Sequence, residues 1–178
     1  HYKGGFREDK FHGNGTFTDP KGLQYEGEYM LGMREGIGVL TYPDGQKYVG
    51  DFVEDELEGK GQFCYLNGDI YSGEFKEGRK DGQGQMQYHN SEEYDGQWEK
   101  DLKHGSGSMR MADGTLVEGT WDRGELQDGD CLITYKNKDV YKGKCKEGKP
   151  HGLGVYRHYN GKVHIGKWDE GNIVENYS

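Results

Sequence analysis

Two short patterns alternate along this chain. In residues 25–42 the first is Tyr25-Glu26-Gly27-Glu28-Tyr29 and the second is Gly36-Ile37-Gly38-Val39-Leu40-Thr41-Tyr42. Each places a ring, an aliphatic side chain or a glycine at every second position, the period of a strand with one packed face. Glycine is too dense in both for a helix. An Asp or Gly seven places after the opening Tyr (Asp9, Gly32, Asp55, Gly78, Asp101), followed by a His-Gly, Glu-Gly or Asp-Gly, predicts a bend between the two strands. Pro43-Asp44-Gly45, Leu66-Asn67-Gly68 and Ala112-Asp113-Gly114 predict a second bend after them, because these residues tolerate positive φ. The predicted unit is a β-hairpin.

The unit recurs every 23 residues. Tyr2, Tyr25, Tyr48, Tyr71 and Tyr94 open successive copies, and Val117, Tyr141 and His164 continue the series with one inserted residue. The glycine two places on is present each time: Gly4, Gly27, Gly50, Gly73, Gly96, Gly119, Gly143 and Gly166. Such a period signals stacked supersecondary units that bury their faces only against neighbours. The expected fold is all-β, an elongated single-layer antiparallel meander of tandem hairpins with roughly 15 strands at ~4.8 Å spacing. The array is expected over residues 1–171, with repeats starting near 2, 25, 48, 71, 94, 117, 141 and 164, and residues 172–178 as a tail. Alternation puts Tyr48, Gly50, Phe52, Gly61, Phe63 and Tyr65 on one face, and Val49, Asp51, Val53, Lys60 and Gln62 on the other. The recurring glycines are expected to let a ring from a neighbouring strand lie flat on the backbone.

Composition changes the picture in one respect. A hydrophobic fraction of 31% and a mean hydropathy of −1.11 suit a disordered chain. But 14 Tyr, 6 Phe and 3 Trp recur at fixed repeat positions, so the expected core is thin and made of rings over glycines. No run approaches the ~20 apolar residues of a membrane-spanning helix, and no leader sequence is visible. Three cysteines, Cys64, Cys131 and Cys145, without a Cys-x-x-Cys pair, fit a reducing compartment better than a disulfide framework.

The unit Tyr-x-Gly-x-(Phe/Tyr/Trp)-x-x-Gly-x-x-x-Gly-x-Gly resembles the MORN repeat (membrane occupation and recognition nexus), and the resemblance runs from residue 2 to about 171. Repeat four departs from it at Ser91, where the second bend usually has Gly. Repeat six departs at Val117, at one insertion and at Cys131, which predicts a bulge or kink near 117–131. The resemblance implies a non-catalytic scaffold in cytoskeletal, ciliary or membrane-associated assembly, cytoplasmic, with a partner helix or peptide along the aromatic groove. A single sheet cannot cover its own ring face, which agrees with that. The candidate groove residues are Phe52, Phe63, Tyr65, Tyr71, Phe75, Tyr88, Tyr94, Trp98 and Trp121. Arrays of this family also precede lipid kinase and lysine methyltransferase domains, so the alternative is a localising module of a larger enzyme.

No pattern supports catalysis, a cofactor or a metal. His12, His104 and His151 precede a bend glycine and read as turn chemistry, while His158 and His164 stand where other repeats carry Tyr. Gly143 to Pro150 nearly spells a phosphate-binding loop, but Pro150 replaces the hydroxyl residue and no helix follows. The net charge of −9 opposes nucleic acid as a partner. Its distribution is uneven: residues 19–69 hold 11 Asp/Glu and 4 Lys/Arg, a balance of −7, and residues 131–168 hold 9 Lys/Arg and 2 Asp/Glu, a balance of +7. Lys136, Lys138, Lys142, Lys144 and Lys146 form a candidate anion patch for acidic protein or phosphoinositide headgroups. Opposed charges and unpaired edge strands also predict a two-fold antiparallel homodimer.

Overall fold

The computed structural model describes residues 1–177, every regular element of which is a β-strand. The chain divides into two compact units, the first His1–His89 and the second from Asn90 onward. The first contains β1 (Tyr2–Arg7), β2 (Lys10–Thr18), β3 (Gln24–Met30), β4 (Met33–Thr41), β5 (Lys47–Val53), β6 (Glu56–Cys64), β7 (Ile70–Lys76) and β8 (Arg79–Gln87). Each is antiparallel to the next in sequence. The second contains β9 (Glu93–Glu99), β10 (Leu102–Arg110), β11 (Leu116–Asp122), β12 (Glu125–Leu126), β13 (Gly129–Thr134), β14 (Val140–Lys146), β15 (Lys149–Arg157), β16 (Val163–Asp169) and β17 (Asn172–Asn176). Again neighbours in sequence pair, except that β11 pairs with both β12 and β13. Both units are antiparallel meanders of successive hairpins, as the alternation predicts.

The first bend of each repeat is a two-residue hairpin turn with positive φ at both central residues, for example Glu54 (48°) and Asp55 (73°). Mirror-image turns of this kind match the twist of the strands they join. The next His-Gly, Glu-Gly or Asp-Gly does not lie in this bend. Register passes from Gly27↔Gly38 to Glu28↔Glu35, so Gly36 and Ile37 are surplus on β4 and Gly36 takes φ 63°. The glycine marks a bulge inside the strand. His12, His104 and His151 therefore precede a bulge and not a turn; His151 Nδ1 lies 3.1 Å from Asp169 Oδ1. Acceptors from the adjoining strand hold the bulge: Asp51 Oδ2 accepts the Lys60 N–H at 3.0 Å and Gln97 Oε1 accepts the Ser106 N–H at 2.9 Å.

The second bend is closed by Asp or Asn side chains that accept the amide two residues on, as from Asp44 to Gln46 at 3.0 Å and from Asn67 to Asp69 at 3.1 Å. Its positive-φ position is Gly22, Gly45, Gly68, Gly114 and Gly161, but Ser91 (φ 71°) in repeat four and Lys138 (φ 70°) in repeat six. A left-handed conformation costs a side-chain-bearing residue ~1–2 kcal/mol, less the ~0.5–1 kcal/mol of extra entropy that glycine loses. Ser91→Gly is therefore expected to raise stability by roughly 0.5–1 kcal/mol in urea unfolding; a destabilised variant would refute this account of the turn.

Backbone hydrogen bonds from five of the first turns join a repeat to the one before it. The amides of Gly32, Asp55, Gly78, Gly124 and Gly171 donate to the carbonyls of Phe11, Arg34, Leu57, Lys103 and Pro150 at 2.8–3.1 Å. Repeat six breaks the strand pattern as expected: its second strand is split into β12 and β13. Val117 supplies no ring, and Leu126 Cδ1 fills the space beside Gly119, 2.7 Å from where a Cβ would stand. Cys131 and Cys145 form a disulfide with Cα atoms 5.8 Å apart, and Cys64 is free. This corrects the reading of the cysteines as a reduced set. Register across β13 and β14, Cys131↔Gly143 and Gly129↔Cys145, brings the two thiols diagonally together, and spacing along the chain does not reveal that. β17 (Asn172–Asn176) pairs with β16, with Gly166 opposite Asn176 and Trp168 opposite Ile173.

Candidate functional site

The ring face is built from one device repeated. Each opening Tyr lies over the glycine two places on and over that glycine's partner on the next strand: Tyr48 over Gly50 and Gly61, Tyr71 over Gly73 and Gly84, Tyr94 over Gly96 and Gly107. The ring thus covers its own hairpin's glycine pair, not that of a preceding strand. Its hydroxyl donates to the carbonyl three residues on, from Tyr25 to Glu28 at 3.0 Å, Tyr48 to Asp51 at 3.0 Å, Tyr71 to Glu74 at 2.9 Å, Tyr94 to Gln97 at 3.0 Å and Tyr141 to Lys144 at 2.7 Å. This satisfies a phenol that would otherwise be buried without a partner.

The aromatic side chain two further on stands edge-to-face against it. In the first unit the sequence of contacts is Tyr25–Phe52 at 5.1 Å, Tyr48–Phe52 at 5.2 Å, Tyr48–Phe75 at 5.1 Å and Tyr71–Phe75 at 5.1 Å, all within 5° of perpendicular. In the second, Tyr94 meets Trp98 and Trp121 at 5.2 Å each. This spacing and angle suit the ring quadrupoles. Cations cap the ladder from the second strand: Arg34 lies 5.7 Å from the Tyr25 ring and 5.2 Å from Phe52, and Lys103 lies 4.8 Å from Trp121.

The candidate groove residues are therefore of two kinds. Phe52, Tyr71, Phe75, Tyr94, Trp98 and Trp121 are core, none more than 7% exposed. Phe63, Tyr65 and Tyr88 are half-buried, with Phe63 and Tyr65 in contact at 4.5 Å. A cavity on the ring face lies elsewhere, in the first two repeats. Phe11, Phe17, Leu23, Tyr29 and Arg34 surround this cavity of about 370 Å³, with Asp55 at its rim. Phe11, Phe17, Leu23 and Arg34 are half-buried. Asp55 fixes the guanidinium: its carboxylate accepts Arg34 N–H and Nε–H at 2.9 and 3.0 Å, and its carbonyl accepts Nη2 at 2.6 Å. Burial pushes the Tyr29 hydroxyl up to about 12 against the opposing pull of Arg34, and pushes Tyr25 up as well. The phenols stay neutral at physiological pH, so the cavity is apolar apart from the Arg34–Asp55 ion pair.

Sequence reasoning missed this cavity because Phe11 and Arg34 lie beyond a bend, where alternation cannot be carried over without the turn length. The recurrence of Arg34, Lys80 and Lys103 at one repeat position was the available signal. The candidate anion patch is less concentrated than its sequence suggests. Lys142, Lys144 and Lys146 share the outer face of β14 and all five lysines are exposed, but Lys144 Nζ is 2.9 Å from Asp130 Oδ1. Among the described residues no group of three or more His, Cys, Asp or Glu could hold a metal ion, and no helix is long and apolar enough to cross a membrane.

The MORN-repeat profile matches residues 2–24, 25–47, 48–70, 71–92, 94–116 and 141–163, well over half of the chain. The chain belongs to the MORN-repeat family. The stretch 117–140, where the ring is absent and the disulfide begins, is the one full repeat that the profile passes over. No curated protein matches this MORN-repeat chain by sequence. Among solved structures, the TCP domain of SAS-4 (dCPAP) of Drosophila melanogaster, in complex with a proline-rich motif of Ana2 (dSTIL), aligns with a TM-score of 0.57 at 11% identity, covering 88% of this chain and 85% of that one. The TCP10 domain of Danio rerio CPAP, in complex with a STIL peptide, covers 100% and 99% at 10% identity, but its TM-score of 0.37 carries no argument. The first likeness shows a shared fold.

Proposed function

We propose that this MORN-repeat array is a non-catalytic scaffold that seats a peptide segment of a partner protein on its ring face, in cytoskeletal assembly. The observation that carries the reading is the 370 Å³ cavity walled by Phe11, Phe17, Leu23 and Tyr29 beside the fixed Arg34. Phe11, Phe17 and Leu23 are half-buried and Tyr29 buried behind them, and the charged groups, Arg34 and Asp55 at the rim, already hold each other. Such a surface accepts an extended proline-rich segment, whose low-entropy backbone docks against aromatic walls, or an amphipathic helix. That the SAS-4 TCP domain shares the fold and was solved with a proline-rich motif supports the extended mode. The partner is a protein segment, and neither lipid headgroups nor nucleic acid fit the apolar lining.

Titration calorimetry with synthetic proline-rich peptides and capture from lysate test this. Phe17→Ala with Leu23→Ala is expected to weaken binding at least tenfold, since large side chains dominate such contacts. Lys47→Ala with Gln83→Ala on the opposite face is expected to leave it unchanged. Equal losses from the two pairs would overturn the reading. Tyr71 and Trp98 are unsuited to the test, because each is at most 5% exposed and its truncation reports on folding.

A further inference from the structure

The face opposite the rings is polar in most repeats and apolar in two. The residues concerned occupy the same three positions of the unit: Ile37, Val39 and Val49 at repeat two, and Leu153, Val155 and Ile165 at repeat seven. Repeats three and five carry Lys60, Gln62, Ser72 and Ser106, Ser108, Glu118 there. In both patches the strands pair identically, Val39 opposite Val49 and Val155 opposite Ile165. Ile37 is 67% exposed, Val49 38%, Leu153 63% and Ile165 48%.

The charges around the two patches are opposite at matching positions. Glu26, Glu28 and Asp51 flank the first, and Lys142, Lys144 and Lys167 hold the corresponding places around the second. The pairing confirms the placement: Val39 lies opposite Glu26 and Ile37 opposite Asp51, while Val155 lies opposite Lys142 and Leu153 opposite Lys167. Asp51 also accepts the Lys60 amide, and Lys144 and Lys167 lie 2.9 and 3.8 Å from the exposed carboxylates of Asp130 and Glu175. The patches thus have the same apolar shape and opposite sign. Two like patches would repel, and the unlike pair attracts.

We propose that the outer faces of two copies of this chain pair, the repeat-two patch of one copy against the repeat-seven patch of the other. A second copy is the occupant that the charges favour, because the chain carries both halves of the complement. An anionic membrane would be drawn to the lysines but repelled by the carboxylates.

A reciprocal charge exchange tests this on the whole chain by sedimentation velocity over a concentration series. The wild type is expected to shift toward twice the 20.3 kDa chain mass as concentration rises. Raising salt from ~0.1 to ~1 M, which shortens the Debye length from ~10 to ~3 Å, is expected to weaken it at least tenfold. Glu26→Lys with Glu28→Lys, and separately Lys142→Glu with Lys144→Glu, should each leave a monomer whose far-ultraviolet circular dichroism is unchanged. Mixing the two variants should restore the dimer. A wild type that stays monomeric at every concentration, or a mixture that stays monomeric, overturns the proposal. So does binding to phosphatidylserine vesicles by a monomer that depends on Lys142 and Lys144, which would give this face to a membrane.

Discussion

Gly73→Val is expected to destabilise the array by about 3 kcal/mol or more, at the upper end of what overpacking does in a filled core. Gly73 is not in the left-handed region, so valine's backbone preferences are no obstacle. The obstacle is room: a Cβ there would stand 2.5 Å from Gly84 Cα and from Tyr71 Oη, and 2.7 Å from the Gln83 carbonyl. Two of these three atoms are backbone and cannot rotate away. Tyr71 must lift, which breaks its hydroxyl bond to Glu74, worth ~1 kcal/mol, and disturbs the perpendicular contact with Phe75. Gly45→Ala is the comparison: Gly45 has φ 94° and open space around it, so only ~1–2 kcal/mol of backbone strain is expected. Urea unfolding of the two variants checks the order. Losing less than ~1 kcal/mol at Gly73 would refute the close approach of ring and backbone.

Asp139→Asn is expected to lower stability strongly at neutral pH and to flatten its dependence on acid. Asp139 is only 4% exposed. It accepts the Tyr159 amide at 2.9 Å, the Tyr156 hydroxyl at 2.8 Å and the Asn137 side chain at 3.0 Å, with His158 Nδ1 at 3.2 Å. The Tyr159 amide bond, helped by Tyr156, Asn137 and His158 and opposed by burial, holds its carboxyl below the usual carboxylate range. A folded-state pKa depressed in this way contributes stability that is present above the unfolded value of ~3.9 and lost as pH falls through the folded value. Wild type and variant should therefore differ most above about pH 5 and converge in stronger acid. Thermal unfolding across pH 2–7 makes the comparison; a constant gap down to the lowest pH would show that charge plays no part. Asp69 repeats the arrangement in the first unit. Burial there acts to raise its carboxyl, but the His89 amide, the His89 ring and Asn67 together hold it below the usual range.

The site was less legible than the fold, for a local reason. Phe52, Tyr71 and Trp98 were readable as ring-face residues because alternation within one strand assigns the face. How much of each ring remains open depends on what crosses over it, and the side chains that do so, Arg34 and Lys103, come from the other strand of a hairpin. Between those strands lie a two-residue turn and a bulge, and the count of unpaired residues in each decides which atoms meet. The cavity beside Phe17 has this origin, whereas the disulfide between Cys131 and Cys145 follows from the register of β13 on β14 across the bend at 135–139.

The sequence by itself determined the hairpin, its 23-residue period, the pairing of Tyr with Gly and the defect at repeat six. These are local properties: strand alternation, glycine's missing Cβ and the chemistry of Asp, Asn and Gly in turns act over a few residues and survive in any copy of the unit. Tertiary structure alone decided which rings are core and which are exposed, where the bulge glycines sit, and that Cys131 lies diagonally across from Cys145. Each depends on register between strands, and a one-residue difference in a turn or bulge moves a side chain to another neighbour or another face.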